Sequence, residues 1–155
     1  MTFFVDADSC PVRIREIICK TAQRLQMPAL FVANRLIPIP QMAYCKMLVT
    51  GAEDQAADTY IVTHALPGDI VITRDIPLAK QLVDAHICVL NDRGTVYTAE
   101  NINERLSVRD FMYELSANGL APERTKGFGK KEIMEFARAF DRETQKVLKN
   151  ALGST

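Results

Sequence analysis

The chain has 155 residues, 48% of them hydrophobic and 25% charged, with 19 basic and 19 acidic side chains. This is the make-up of one ordinary globular domain with room for a small appendage, and zero net charge argues against a uniformly basic nucleic-acid binder. No apolar run reaches the ~18 residues of a membrane span, and Asp6 interrupts the first apolar run where a signal peptide would need its longest one.

Four cysteines without a CxxC pair suggest reduced thiols and a cytoplasmic location. The neutral total hides an asymmetry: residues 122–149 hold eight Lys/Arg against five Asp/Glu, a local +3, so the remainder carries −3.

In chain order, residues 2–6 read as a short buried strand. Ser9 is a suitable N-cap and Pro11 suits the first turn of a helix running to about residue 26. Val12, Ile17, Ile18, Ala22 and Leu25 fall near one helical stripe. Residues 29–34 form a second strand. Two prolines in three residues make 35–41 a loop, and 45–50 form a third strand. Residues 52–66 read as a helix broken by Pro67-Gly68. A fourth strand covers 69–75, a helix 77–85 and a fifth strand 87–91, with a short edge strand at 95–99. Helices over 101–119 and 131–152 are separated by a polar linker. Buried strands with helical crossovers predict an α/β fold: a three-layer sandwich around a parallel five-stranded sheet, with added C-terminal helices. The predicted division is 1–120 for the α/β domain and 121–155 for the linker and final amphipathic helix.

The stretch "VDADSCP", residues 5–11, places Asp6 and Asp8 at the end of an apolar strand. Aspartate is depleted in strands, and an unpaired buried charge is costly. Asp75 ends the fourth strand in this reading. Ligands of open parallel sheets bind beyond the carboxyl ends of the strands, so Asp6 and Asp75 can meet there. Asp54 and Asp58, four residues apart, share a face of the intervening helix. Such a crowd of carboxylates would be neutralised by a hard divalent cation, Mg²⁺ or Mn²⁺. Carboxylate-held metal with leftover waters suits phosphodiester hydrolysis.

Five motifs, in order, resemble the bacterial YaiI/YqxD family: "VDADSCP", "AADTYIV", "GDIVITRDIPLA", "NDRGTVYT" and "RLSVRDFM". The resemblance covers nearly all of residues 1–120, with a looser echo in "GFGKKEIMEFARAF". That family is regarded as similar to the PIN domain, a nuclease fold with an acidic Mg²⁺/Mn²⁺ site. The resemblance implies Asp6, Asp58 and Asp75 as the catalytic acids, with Asp8 adjacent in the metal site. The chain departs from the pattern in three places. Ser9 stands where alanine is usual, Gln55 where an acid is usual, and Asp92 where proline is common. Either Asp54 replaces the acid missing at Gln55 or that acid is absent, and Asp92 reads as a turn former, with a fourth PIN-like acid as the alternative.

The leading expectation is a metal-dependent nuclease acting on RNA or single-stranded DNA, with Arg124, Lys126, Lys130 and Lys131 holding the phosphate backbone. Its rivals are a PIN-like module that binds metal or nucleic acid without cleaving, and a small-molecule phosphatase. Cys10 reads as core, since a phosphate-loop phosphatase needs Arg at position 16, which is Glu. His64 and His86 read as structural, and "KGFGKK" has the wrong spacing for a P-loop. Substrate and oligomeric state stay open.

Overall fold

The computed structural model describes residues 1–53, 55–119 and 128–153. The strands are β1 (Phe3–Asp6), β2 (Ala29–Ala33), β3 (Cys45–Val49), β4 (Ile70–Ile72), β5 (Cys88–Leu90) and β6 (Val96–Tyr97). The helices are α1 (Val12–Leu25), α2 (Ala56–His64), α3 (Ile76–Asp84), α4 (Ile102–Ala117) and α5 (Lys130–Gly153). The strands form one sheet in the order β3-β2-β1-β4-β5-β6. Five strands run parallel, as expected, and β6 pairs antiparallel with β5 as a sixth, edge strand.

Side chains alternate across the central strands, so each strand feeds two cores. Phe3 and Val5 of β1, Phe31 of β2 and Ile70 and Ile72 of β4 pack with Ile14 and Ile18 of α1 and Phe136 and Phe140 of α5. Phe4, Val32, Val71 and Val89 point the other way, onto Ile61 of α2, Leu78 and Leu82 of α3 and Ile102 of α4. The result is a three-layer α/β/α fold, in keeping with the PIN-like architecture that the resemblance implies. The final helix completes one layer: Phe140 lies 5.1 Å from Phe3 and 5.2 Å from Phe136, ring centre to ring centre.

Several boundaries differ from the sequence reading for local reasons. Ser9 belongs to a 3-10 turn (Ala7–Ser9), and Pro11 stands at the N-cap of α1 without a side-chain bond. Val12 is exposed, and the buried stripe of α1 is Ile14, Ile18, Cys19 and Ala22. The second crossover helix starts at Ala56 rather than near residue 52, because Gln55 adopts a left-handed conformation with φ 65°. β4 stops at Ile72, three residues before Asp75. Gly119 follows the C-cap of α4 with φ 72°, as expected of a helix-ending glycine.

Topology sets where a site can lie. The chain builds β2 and β3 on one side of β1, then returns to the other side with β4. From β1 the chain runs into α1 on one face, and from β4 into α3 on the opposite face. The two connections diverge and leave a crevice between the carboxyl ends of β1 and β4, the switch point where doubly wound sheets take ligands.

Candidate functional site

A cavity of about 570 Å³ opens at this switch point, lined by Asp6, Asp8, Asn34, Gln55, Asp58, Arg74 and Asp75 among others. Three elements bring its acids together. Asp6 is the last residue of β1. Asp58 lies in the first turn of α2, whose opening residues Ala56 and Ala57 also border the cavity. Asp75 is the N-cap of α3, not the end of a strand. Its Oδ1 accepts from the Leu78 amide at 2.9 Å, and Pro77 sits in the first turn behind it.

Thr73 ties two of the acids together. Its buried hydroxyl donates to Asp6 Oδ2 at 2.9 Å and accepts from the Asp75 amide at 3.0 Å. Asp6 is therefore fixed relative to the turn that carries Asp75.

The crowding shows in the protonation of these groups. Burial pushes the Asp58 carboxyl up to about 7, reinforced by the charge of Asp75, a hydrogen bond shared with Asp75, and the charge of Asp6. Burial also raises Asp6, with Asp75 and Asp8 adding to the shift and the Thr73 hydrogen bond opposing it. Asp58 thus tends to keep its proton near neutral pH, with Asp75 and Asp6 beside it. Among the described residues, no three His, Cys, Asp or Glu side chains are gathered as a ready-made cage for an ion. The acids form an open arrangement.

The remaining expected site residues are placed differently. Asp8 is exposed at the rim, and its Oδ1 accepts from Arg35 Nε at 2.7 Å. Asp54, Arg124 and Lys126 lie outside the described residues. Lys130 and Lys131 are exposed on the first turn of α5 and do not line the cavity. That turn nevertheless stands at the same sheet edge, packed on the β5–β6 turn. Arg93 pairs with Glu132 at 3.6 Å, and a Cβ at Gly94 would meet the Glu135 carbonyl oxygen at 2.5 Å.

Asp92 is in this turn, as expected, but it is not a surface turn former. It is only 3% exposed, and its Oδ2 accepts from Arg74 Nε at 2.6 Å. Cys10 is core, as read. Burial pushes its thiol up to about 12, which removes it as a nucleophile at neutral pH. Sequence reasoning missed Thr73, Arg74 and Asn34. The visible signal for the first two was "TRD", a hydroxyl and a base wedged between a strand and a helix-capping acid.

Among the described residues, no helix is long and apolar enough to cross a membrane. No solved structure matches the chain significantly. A protein named UPF0178 protein from Treponema denticola is 57% identical over 149 residues, covering 96% of this chain and 95% of its own. Proteins of the same name from Treponema pallidum and Myxococcus xanthus are 56% and 42% identical, over 97% and 96% of this chain and 85% and 97% of their own lengths. The family model described as "Uncharacterized BCR, YaiI/YqxD family" matches residues 4–146, and the chain belongs to that family.

Proposed function

We propose that this protein is a divalent-metal-dependent nuclease that cuts RNA or single-stranded DNA in the crevice between β1 and β4. One observation carries the reading: Asp6, Asp58 and Asp75 line one cavity at the switch point of a parallel sheet, close enough that burial and their mutual charge raise Asp58 and Asp6. Fold stability does not require three carboxylates to repel one another there, and a bound cation would repay the cost.

The donor set suits Mg²⁺ or Mn²⁺. All the donors are carboxylate oxygens, the preference of hard cations. Mg²⁺ is commonly held by one or two carboxylates and keeps several waters, so an open arrangement fits it better than a closed cage would. One or two of Asp6, Asp58 and Asp75 would hold the ion directly and the rest through its waters, while Asp8 is occupied by Arg35 at the rim. A divalent ion bound there supplies activation of water and stabilisation of charge on the leaving oxygen.

The chain's own groups prepare the site. Thr73 keeps one oxygen of Asp6 in place through the hydroxyl it donates. The Leu78 amide does the same for Asp75. A cation held by Asp58 would have to displace the proton that this carboxyl keeps, so cation binding should strengthen as pH rises towards about 7. Lys130 and Lys131, with Arg124 and Lys126 before them, supply positive charge for the phosphate backbone, which an acidic crevice alone would repel.

The test is cleavage of labelled single-stranded RNA and DNA with Mg²⁺ or Mn²⁺, run beside Asp75→Asn. Metal-dependent cleavage lost in the variant supports the reading. Wild type that binds the strand and never cuts it favours a non-catalytic binding module. Wild type that ignores nucleic acid but hydrolyses small phosphate esters favours the phosphatase.

A further inference from the structure

We propose that Arg74 is the residue that grips the substrate phosphate in this crevice, and that Asp92 is the positioning residue that seats it. The inference rests on the nuclease reading above and deepens it.

The crevice has a charge problem that the acids alone create. Asp6, Asp8, Asp58 and Asp75 all border it, and a phosphodiester carries negative charge into them. Among the described residues, Arg74 is the one basic side chain lining it. Arg74 lies between Thr73, which holds Asp6, and Asp75 itself, so its backbone belongs to the turn that organises the acids.

Arg74 is also aimed. Its Nε donates to Asp92 Oδ2 at 2.6 Å, and its Nη2 pairs with the same oxygen. Asp92 is nearly fully buried, while the Arg74 side chain is 44% exposed. A buried carboxylate is strongly disfavoured without its partner, so the pair stays together. One edge of the guanidinium is thereby fixed against the protein, and Asp92 does not use the edge carrying Nη1. A planar, permanently charged fork held in this way is suited to phosphate in a manner that a flexible lysine is not. Arg35 offers a contrast: it pairs at the surface with the exposed Asp8, where solvent weakens the hold.

Arg74 could instead be no more than the counter-ion of Asp92, and stability and substrate affinity separate the two roles. The experiment measures KM and kcat for Mn²⁺-dependent cleavage of a labelled single-stranded RNA, together with Tm, for the full chain and for R74A, R74K, D92N and R74A/D92N. R74A should raise KM about tenfold or more, as expected for a lost charge-assisted hydrogen bond, and should leave kcat within about threefold. R74K should recover only part of the affinity. R74A should also lower Tm, because it strands the buried carboxylate of Asp92. The double variant R74A/D92N removes that stranded charge, so its Tm should recover while its KM stays high. A KM that returns with the Tm, or an R74A enzyme with wild-type KM, would overturn the proposal and leave the nuclease reading standing. Wild type that neither binds nor cuts the RNA would overturn both.

Discussion

The two edges of this sheet treat aspartate in opposite ways. At the amino edge, Asp69 stands just before β4. Its Oδ1 accepts from the Thr2 amide at 2.8 Å and its Oδ2 from the Leu66 amide at 2.9 Å. Both oxygens are satisfied by backbone donors, and the carboxylate ties the starts of β1 and β4 together. At the carboxyl edge, the same two strands lead to Asp6 and Asp75, which face each other and Asp58 across a crevice. One edge spends its acid on holding the fold. The other gathers three acids, of which Asp75 also caps α3, at a cost in repulsion that raises Asp58 and Asp6, and the proposed function rests on that crowding.

The largest expected effect removes the function of one edge only. Asp75→Asn and Asp6→Asn should each lower metal-dependent cleavage by about a hundredfold or more, since each takes a charged oxygen from the cation. Asp69→Asn should leave cleavage within about twofold. Equal losses in all three, measured as kcat/KM at saturating Mn²⁺, would erase the distinction between the edges.

The next effect is thermodynamic. A cation that binds only the folded chain stabilises it by about 2.7 kcal/mol at a hundred times its Kd, or about 5–10 °C in Tm for a chain of this size. The gain should be large at pH 8 and small at pH 5, because below about 7 the ion must displace the proton that Asp58 holds. A Tm gain from Mn²⁺ that is the same at both pH values would remove Asp58 from the ligand set. Asp69→Ala should lower Tm by an amount corresponding to roughly 2 kcal/mol, from two lost hydrogen bonds to a charged group, and leave the Mn²⁺ gain unchanged.

Much of this was legible in the sequence. Continuous apolar strands with helical crossovers gave the parallel sheet, and the two-residue period of Phe3, Phe4 and Val5 fed both cores as it should. Asp6 and Asp58 fell at the edge where the topology rule put them. Asp75 did too, although as a helix cap rather than a strand end. The signal for a cap was present, since an acid two residues before proline is a helix-start pattern, but an unbroken β-branched run outweighed it. The start of α2 was lost to Gln55, because no propensity rule puts a glutamine in the left-handed region. Arg74 and Asp92 were out of reach for another reason. They are 18 residues apart and meet only because β4 and β5 are neighbours and α5 closes over the turn at Gly94. Neither periodicity nor local chemistry reports such a pair.

The smallest effect tests the repulsion itself, in the absence of metal. The folded-state carboxyl of Asp58 lies above its ordinary value, so the native chain binds more protons than the unfolded one between about pH 4 and about 7. Stability must then fall as pH rises through that window, and the loss is complete above it. Asp58→Asn removes the titrating group while keeping nearly the same shape, so it should flatten this slope. At pH 8 the variant should be more stable than wild type without metal, and at pH 4 the two should agree. Asp58 is only half-buried, so solvent on its open side screens the repulsion, and the gain should be on the order of 0.5–1 kcal/mol. Urea unfolding at the two pH values, with chelator present, measures it. The same substitution should lower the metal response, so with Mn²⁺ at pH 8 the order of stability reverses. A variant less stable than wild type at pH 8 without metal would mean that Asp58, like Asp69, serves the fold.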